Sequence, residues 1–289
     1  TSKTSYCAYG FYHGFMETLL QSSGTLQEAR DFCAYVGRTL AKQTTDAESA
    51  CYHGIGHGTV DGGDPTAWGN PEKILNPGLK MCELVSAQPD HLYRCVTGAY
   101  NALEILSMDS KYKLEMIAKN PFGICESQKE DYKEPCYTNM LPALMRNNDE
   151  DFTKVAKIVS EIPNKDNATA RMLGLPTRQM VTLSLFYDYV RANFQKSDYA
   201  IGEGVKICQS LKSDLRLPCI EGLSGSYMKY GEPGKEYIKG LAFCGSDLLS
   251  KDEKDTCHKH ILNRLRIWYS SDMAANICES VNKEYQNLC

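Results

Sequence analysis

His13, His53 and His57, three of the six histidines in the chain, share one pattern with a set of carboxylates. His13 stands six residues after Cys7 and His57 six after Cys51, so the two occupy one column of a repeated motif. His53 lies four residues before His57, which on a helix places both rings on one face, a turn apart. Glu17 follows His13 by four residues, and Asp61 follows His57 by four, adding carboxylates near that face. Equivalent positions on neighbouring helices sit roughly 8–10 Å apart, a span that two inward-leaning imidazoles can bridge through one cation. Three imidazoles, with or without Glu17 or Asp61, suit a single zinc or copper ion by ligand type. Metal-assisted hydrolysis would further need an open coordination position and a base, for which Glu17 and Glu104 are the candidates. The plainer reading is that histidines flanked by glycines fill a helix interface. Against it, the next repeat carries Asn101 in the histidine column, so the feature belongs only to the N-terminal end.

The elements that must position these residues are written in the cysteines. There are thirteen, and no C-x-x-C pair, which disfavours zinc ribbons and c-type haem and favours an oxidising compartment. Six segments share one layout: an amphipathic stretch ending in cysteine, a short polar link, and a cysteine opening a second apolar stretch. The spacing pairs Cys33 with Cys51, Cys82 with Cys95, Cys125 with Cys136, Cys208 with Cys219, Cys244 with Cys257, and Cys278 with Cys289. The period is about 38–44 residues. Between Cys136 and Cys219 two periods fit, and a cysteine-less repeat at about 148–196 fills the gap, with Leu175-Pro176-Thr177 matching Leu217-Pro218-Cys219. Cys7 opens a second helix without a first, so it is either unpaired or paired outside this chain. The reading is one all-α domain over 1–289, a solenoid of helical hairpins each stapled by a disulfide. It has an N-terminal half-repeat at 1–22, histidine-bearing repeats within 1–69 and C-terminal repeats over 197–289.

Local signals agree with helices. Thr25-Leu26-Gln27-Glu28 reads as a capping box. Asn70-Pro71-Glu72 combines a cap, a first-turn proline and a first-turn acid. Glycine recurs three residues after the second cysteine, at Gly10, Gly54, Gly98 and Gly222. Because a mid-helix glycine costs about 1 kcal/mol against alanine, its recurrence points to close helix approach at that column. His258 and His260 are two apart and read as a solvated pair, and the run Lys251–Asp255 as a solvated linker. His91 carries no role, and the dispersed tyrosines read as packing. Asn167-Ala168-Thr169 is a sequon and makes Asn167 a glycosylation candidate.

Charge and motif exclude several classes. A net charge of −4 with scattered basic residues gives no footprint for nucleic acid. No apolar stretch is long enough to span a bilayer, so membrane association would come only through a partner or a missing terminus. Thr1 is not an initiator methionine, which fits a processed N-terminus or further residues before it. Neither a P-loop, a dinucleotide fingerprint nor a G-x-S-x-G elbow occurs.

The blocks Cys7-Ala-Tyr-Gly-Phe-Tyr-His13-Gly and Cys51-Tyr-His53-Gly-Ile-Gly-His57-Gly resemble those of a family of uncharacterised, predicted secreted prokaryotic proteins. Cys95-Val-Thr-Gly and Cys219-Ile-Glu-Gly look like its later blocks. The resemblance implies an extracytoplasmic, disulfide-stapled helical fold and leaves activity open. Two functions are expected from the whole. One is a secreted, periplasmic or pseudoperiplasmic scaffold, an accessory subunit of a larger and conceivably membrane-associated complex, with a protein partner or self-association. The other is a zinc- or copper-binding protein for metal storage, delivery or metal-assisted hydrolysis. Enzymatic activity is the less favoured expectation.

Overall fold

The computed structural model describes residues 10–60 and 62–289, apart from the side chain of His13, and among these residues it holds helices and no strand. The chain divides into two compact units, where the sequence suggests one domain over 1–289. One unit contains the described residues through Asp149 together with Asn167–Gly174; the other contains Glu150–Asp166 and Leu175–Cys289.

The first unit is built from α1 (Gly10–Gln21), α2 (Leu26–Leu40), α3 (Ala47–Gly58), α4 (Pro71–Val85), α5 (Pro89–Leu106), α6 (Glu115–Lys119), α7 (Gly123–Glu126) and α8 (Glu130–Arg146). The sequence explains where they start. The Thr25 hydroxyl accepts from the Glu28 amide while the Glu28 carboxylate accepts from the Thr25 amide, so two orphan donors of α2 are satisfied reciprocally. Asn70 accepts from the amide of Lys73, and Pro71 occupies the first turn of α4, where its missing N–H costs nothing. Both α4 and α8 continue through internal prolines, Pro77 in the one and Pro135 and Pro142 in the other.

Disulfides join Cys33 of α2 to Cys51 of α3, Cys82 of α4 to Cys95 of α5, and Cys125 of α7 to Cys136 of α8. In the third hairpin the first element is broken into α6 and α7, with Pro121 between them. The second helix of each pair packs on the second helix of the next: α3 lies along both α1 and α5, and α5 along α8. Glycine permits the closest of these approaches. A Cβ on Gly56 would sit 2.0 Å from the carbonyl oxygen of Cys95, and one on Gly98 would sit 2.0 Å from that of His53. A Cβ on Gly54 would lie 2.7 Å from the carbonyl oxygen of Tyr12 on α1. The glycine column is therefore a line of backbone-to-backbone contact.

The second unit opens with α9 (Phe152–Val159), whose N-cap Asp151 accepts from the amides of Thr153 and Lys154. The next helix, α10 (Ala168–Leu173), belongs to the first unit. There the Asn167 side chain accepts from the Ala170 amide and donates to the Glu130 carbonyl, while Thr169 donates to the Asp131 carbonyl. Asn167 is 6 % exposed, so the fold uses this side chain as a helix cap and its amide nitrogen is committed to α8. In this arrangement the side-chain nitrogen of Asn167 is engaged by the Glu130 carbonyl. The cysteine-less repeat is thus divided, its link going to one unit and its two main helices to the other.

The rest of the second unit is α11 (Thr177–Tyr187), α12 (Tyr189–Ala192), α13 (Ile201–Ser210), α14 (Ser213–Tyr230), α15 (Glu236–Gly245), α16 (Lys251–Leu262), α17 (Leu265–Trp268) and α18 (Ser271–Ser280). Cys208–Cys219 joins α13 to α14, and Cys244–Cys257 joins α15 to α16. Cys278–Cys289 differs from the expected helix-to-helix staple, because Cys289 follows the short 3-10 turn Gln286–Leu288. Again second helices pack together, α14 on α11 and on α16, and a Cβ on Gly222 would lie 2.3 Å from the Leu183 carbonyl oxygen.

Two expectations for this region are corrected. Lys251–Asp255 is helical from its first residue, because Ser250 and Glu253 form a capping box that the residue types already spelled. His258 and His260 are buried, at 7 % and 2 % exposure, and are not a solvated pair. The His258 ring stacks on Tyr285 at 3.8 Å between centroids, and its Nδ1 lies 2.8 Å from the Lys254 carbonyl oxygen. His260 occupies the column that holds glycine in other second helices, with Nδ1 3.4 Å from the Glu221 carboxylate.

Candidate functional site between the first, third and fifth helices

The histidine pattern sits where α3 is sandwiched between α1 and α5. The i, i+4 spacing places the rings of His53 and His57 together, 5.1 Å apart between centroids. His57 is buried at 3 % exposure, whereas His53 is half-buried. Glu17 reaches in from α1, with Oε1 3.4 Å from His57 Nδ1. The side chain of His13, and Asp61 and Cys7 altogether, lie outside the described residues. Glu104, the other candidate base, is buried in an ion pair with Arg146 of α8 and is committed there.

Hydrogen bonds to α5 set the state of each ring. His53 Nδ1 lies 2.8 Å from Thr97 Oγ1, and the Thr97 hydroxyl donates to the Arg94 carbonyl at 2.7 Å. With its single proton spent on that carbonyl, Thr97 accepts from His53. The proton of a neutral His53 is thereby fixed on Nδ1, and its lone pair is on Nε2. His57 Nε2 lies 2.9 Å from Asn101 Oδ1, so the N–H there donates to the amide oxygen. Nδ1 of a neutral His57 then presents a lone pair toward the Glu17 carboxylate.

Two acceptors 3.4 Å apart require something positive between them or a proton on one of them. A proton on His57 makes an imidazolium that donates at both ends. A proton on Glu17 is favoured by partial burial, which pushes that carboxyl above its ordinary range. A cation is the third solution. Two ligands on a tetrahedral zinc at bond lengths of about 2.0–2.1 Å are themselves roughly 3.4 Å apart. Among the described residues no group of three His, Cys, Asp or Glu side chains is arranged to hold a metal ion.

Thr97 and Asn101 are the site residues that the histidine pattern overlooks. Asn101 occupies the histidine column of the next repeat, and its value lies in pairing with the histidine of the same column one helix back. Another buried acid, Glu134 of α8, is fully enclosed, and burial pushes its carboxyl up to about 7, offset in part by Thr138, Tyr93 and Arg94. Thr138, one turn along α8, donates to it at 2.9 Å, which ties it into its own helix.

Comparison with protein-family models, with curated proteins and with solved structures finds no match to the chain.

Proposed function

We propose that this chain is an extracytoplasmic helical-repeat scaffold, a solenoid of disulfide-stapled hairpins that acts as an accessory subunit of a larger assembly. The observation that carries the reading is the recurrent contact between second helices, brought to backbone distance at the glycine column in both units. Stacking of that kind generates extended faces, and such faces are what repeat proteins use to bind partners. Disulfides in all six positions fit an oxidising compartment, and no described helix is long and apolar enough to cross a membrane. Small-angle scattering of the monodisperse chain tests the array. A compact chain of this length has a radius of gyration of about 19 Å, and the repeat reading expects a clearly larger value. A value at or below that figure would leave no extended face and remove the reading.

One observation favours a second reading, a resident zinc or copper ion. His57 and Glu17 present facing acceptors at ligand spacing, and Thr97 fixes His53 in the way second-shell partners fix metal-binding imidazoles. His13, on α1 four residues before Glu17, would be the added ligand. Metal at 100 times its Kd stabilises a fold by about 2.7 kcal/mol, several degrees of melting temperature at this size. The second reading therefore expects a fall of that order after exhaustive chelation and recovery on adding Zn2+ or Cu2+. The scaffold without metal expects superimposable melts.

A further inference from the structure

Three helices of the first unit, α5, α8 and α10, surround a half-open recess of about 110 Å3. Leu92 and Val96 of α5 and Pro135 of α8 give it carbon walls, and Tyr93 and Tyr132 give it rings. The recess follows from the way α10 is seated on α8. The Ala168 amide donates to the Asp131 carboxylate at 2.9 Å, and the Thr169 hydroxyl to the Asp131 carbonyl at 2.7 Å. With a side chain as small as that of Ala168, α10 lines the gap beside α5 and α8 without filling it. A dry cavity of roughly 150 Å3 takes a benzene ring, so this one suits a somewhat smaller group.

The chemistry of the lining is one-sided. Among the described side chains that form it, the donors are spent or face acids. Tyr132 donates to the Glu83 carboxylate at 2.9 Å, and Thr169 donates to the carbonyl just named. Burial and the neighbouring Glu134 carboxyl push the Tyr93 phenol well above its ordinary range. Both phenols therefore keep their protons and turn them toward carboxyl groups. An anion, which needs donors, finds no partner here. The charged group in the lining is Asp131, while Lys129 and Arg94 are matched by Glu83 and Asp46. A phenol that donates to a carboxylate has an electron-rich ring, whose negative face attracts cations. The Tyr132 ring already holds the Lys129 ammonium 5.4 Å from its centroid in this way. Asp131 Oδ1 takes the Ala168 amide, so a primary ammonium would find little beyond the other Asp131 oxygen, and carbon walls would strand its remaining N–H groups. We propose that the recess binds a quaternary ammonium head group, a cation with a methyl surface and no N–H, held by Asp131 and the rings of Tyr93 and Tyr132. The site lies within one unit and does not depend on the repeat register.

Choline is the probe, titrated against the protein with the methyl resonance of Met172, a lining residue 37 % exposed, as reporter. Two comparisons isolate the chemistry: the neutral isostere with a quaternary carbon in place of the nitrogen, and ethanolamine, which keeps the charge and adds N–H groups. Choline is expected to bind about tenfold more tightly than either, as a partly desolvated cation–π contact supplies. Asp131→Asn keeps an acceptor for the Ala168 amide, and is expected to weaken choline severalfold while leaving the isostere and the melting temperature unchanged. Met172→Trp is expected to fill the recess and abolish choline binding, followed by calorimetry. Equal binding of choline and its isostere overturns the proposal, as does equal binding of choline and ethanolamine. So does the lack of a saturable shift at Met172, or choline binding that survives Met172→Trp in a protein that melts like the parent.

Discussion

Reduction of the disulfides is expected to unfold the chain, with the bonds yielding in two stages. Bonded cysteines are separated by 11 to 18 residues. Loop-closure entropy values each such bond at about 3 kcal/mol at 25 °C, and six bonds at roughly 15–20 kcal/mol. A folded domain commonly has only about 5–15 kcal/mol in hand. Each unit holds three of the bonds, worth about 9 kcal/mol together, the same order as that reserve, so their loss is expected to bring both units to or past the midpoint of unfolding at 37 °C. Access sets the order. Both sulfurs of the other five pairs belong to fully buried residues, whereas Cys289 is exposed. A mild phosphine should therefore open Cys278–Cys289 first, with helical circular dichroism retained, and the rest only as the chain opens. A fully reduced protein that keeps its helical signal and melts cooperatively within a few degrees of the oxidised one would contradict this.

The second large effect concerns Gly98, where two contributions have opposite signs. On helix propensity alone, Gly98→Ala should stabilise α5 by about 1 kcal/mol. Packing says the reverse, since the new methyl would lie 2.0 Å from the His53 carbonyl oxygen and 3.0 Å from the Gly56 Cα. Those are backbone atoms, and relieving the clash means prising α3 from α5 along the crossing that holds the first unit together. Overpacking of this kind costs typically 1–3 kcal/mol and more where only backbone can yield. The net expectation is a loss of about 2–4 kcal/mol, read as a lower urea midpoint at unchanged slope. Gly202→Ala is the control, because its Cβ would meet nothing within 4 Å and only propensity remains. A Gly98→Ala protein as stable as the parent would mean that α3 and α5 are not so closely apposed.

Much of this architecture is legible in residue types. The cysteine register anticipates the bonds, the capping box at Thr25 and the Asn70 cap mark two helix starts, and the glycine column announces the close crossings. Spacing also brings His53 and His57 together on α3. The remainder depends on three-dimensional neighbours. That Asn101 and Thr97 hold the two imidazoles follows from the register between α3 and α5, which no local pattern specifies. The burial of His258 and His260 follows from Tyr285 folding over one and α14 packing against the other. The assignment of Ala168–Leu173 to the first unit rests on the Asn167 and Thr169 hydrogen bonds to α8, and a sequon gives no hint of them.

Every disulfide described above joins near neighbours in the chain, and this bears on how the protein is made. Twelve cysteines could in principle pair in on the order of ten thousand ways. Here each cysteine's partner follows at most 18 residues later in the chain, before the next hairpin. Correct pairing can thus proceed in the order of synthesis, one hairpin at a time, without waiting for distant segments and with little need for an isomerase to undo mistakes.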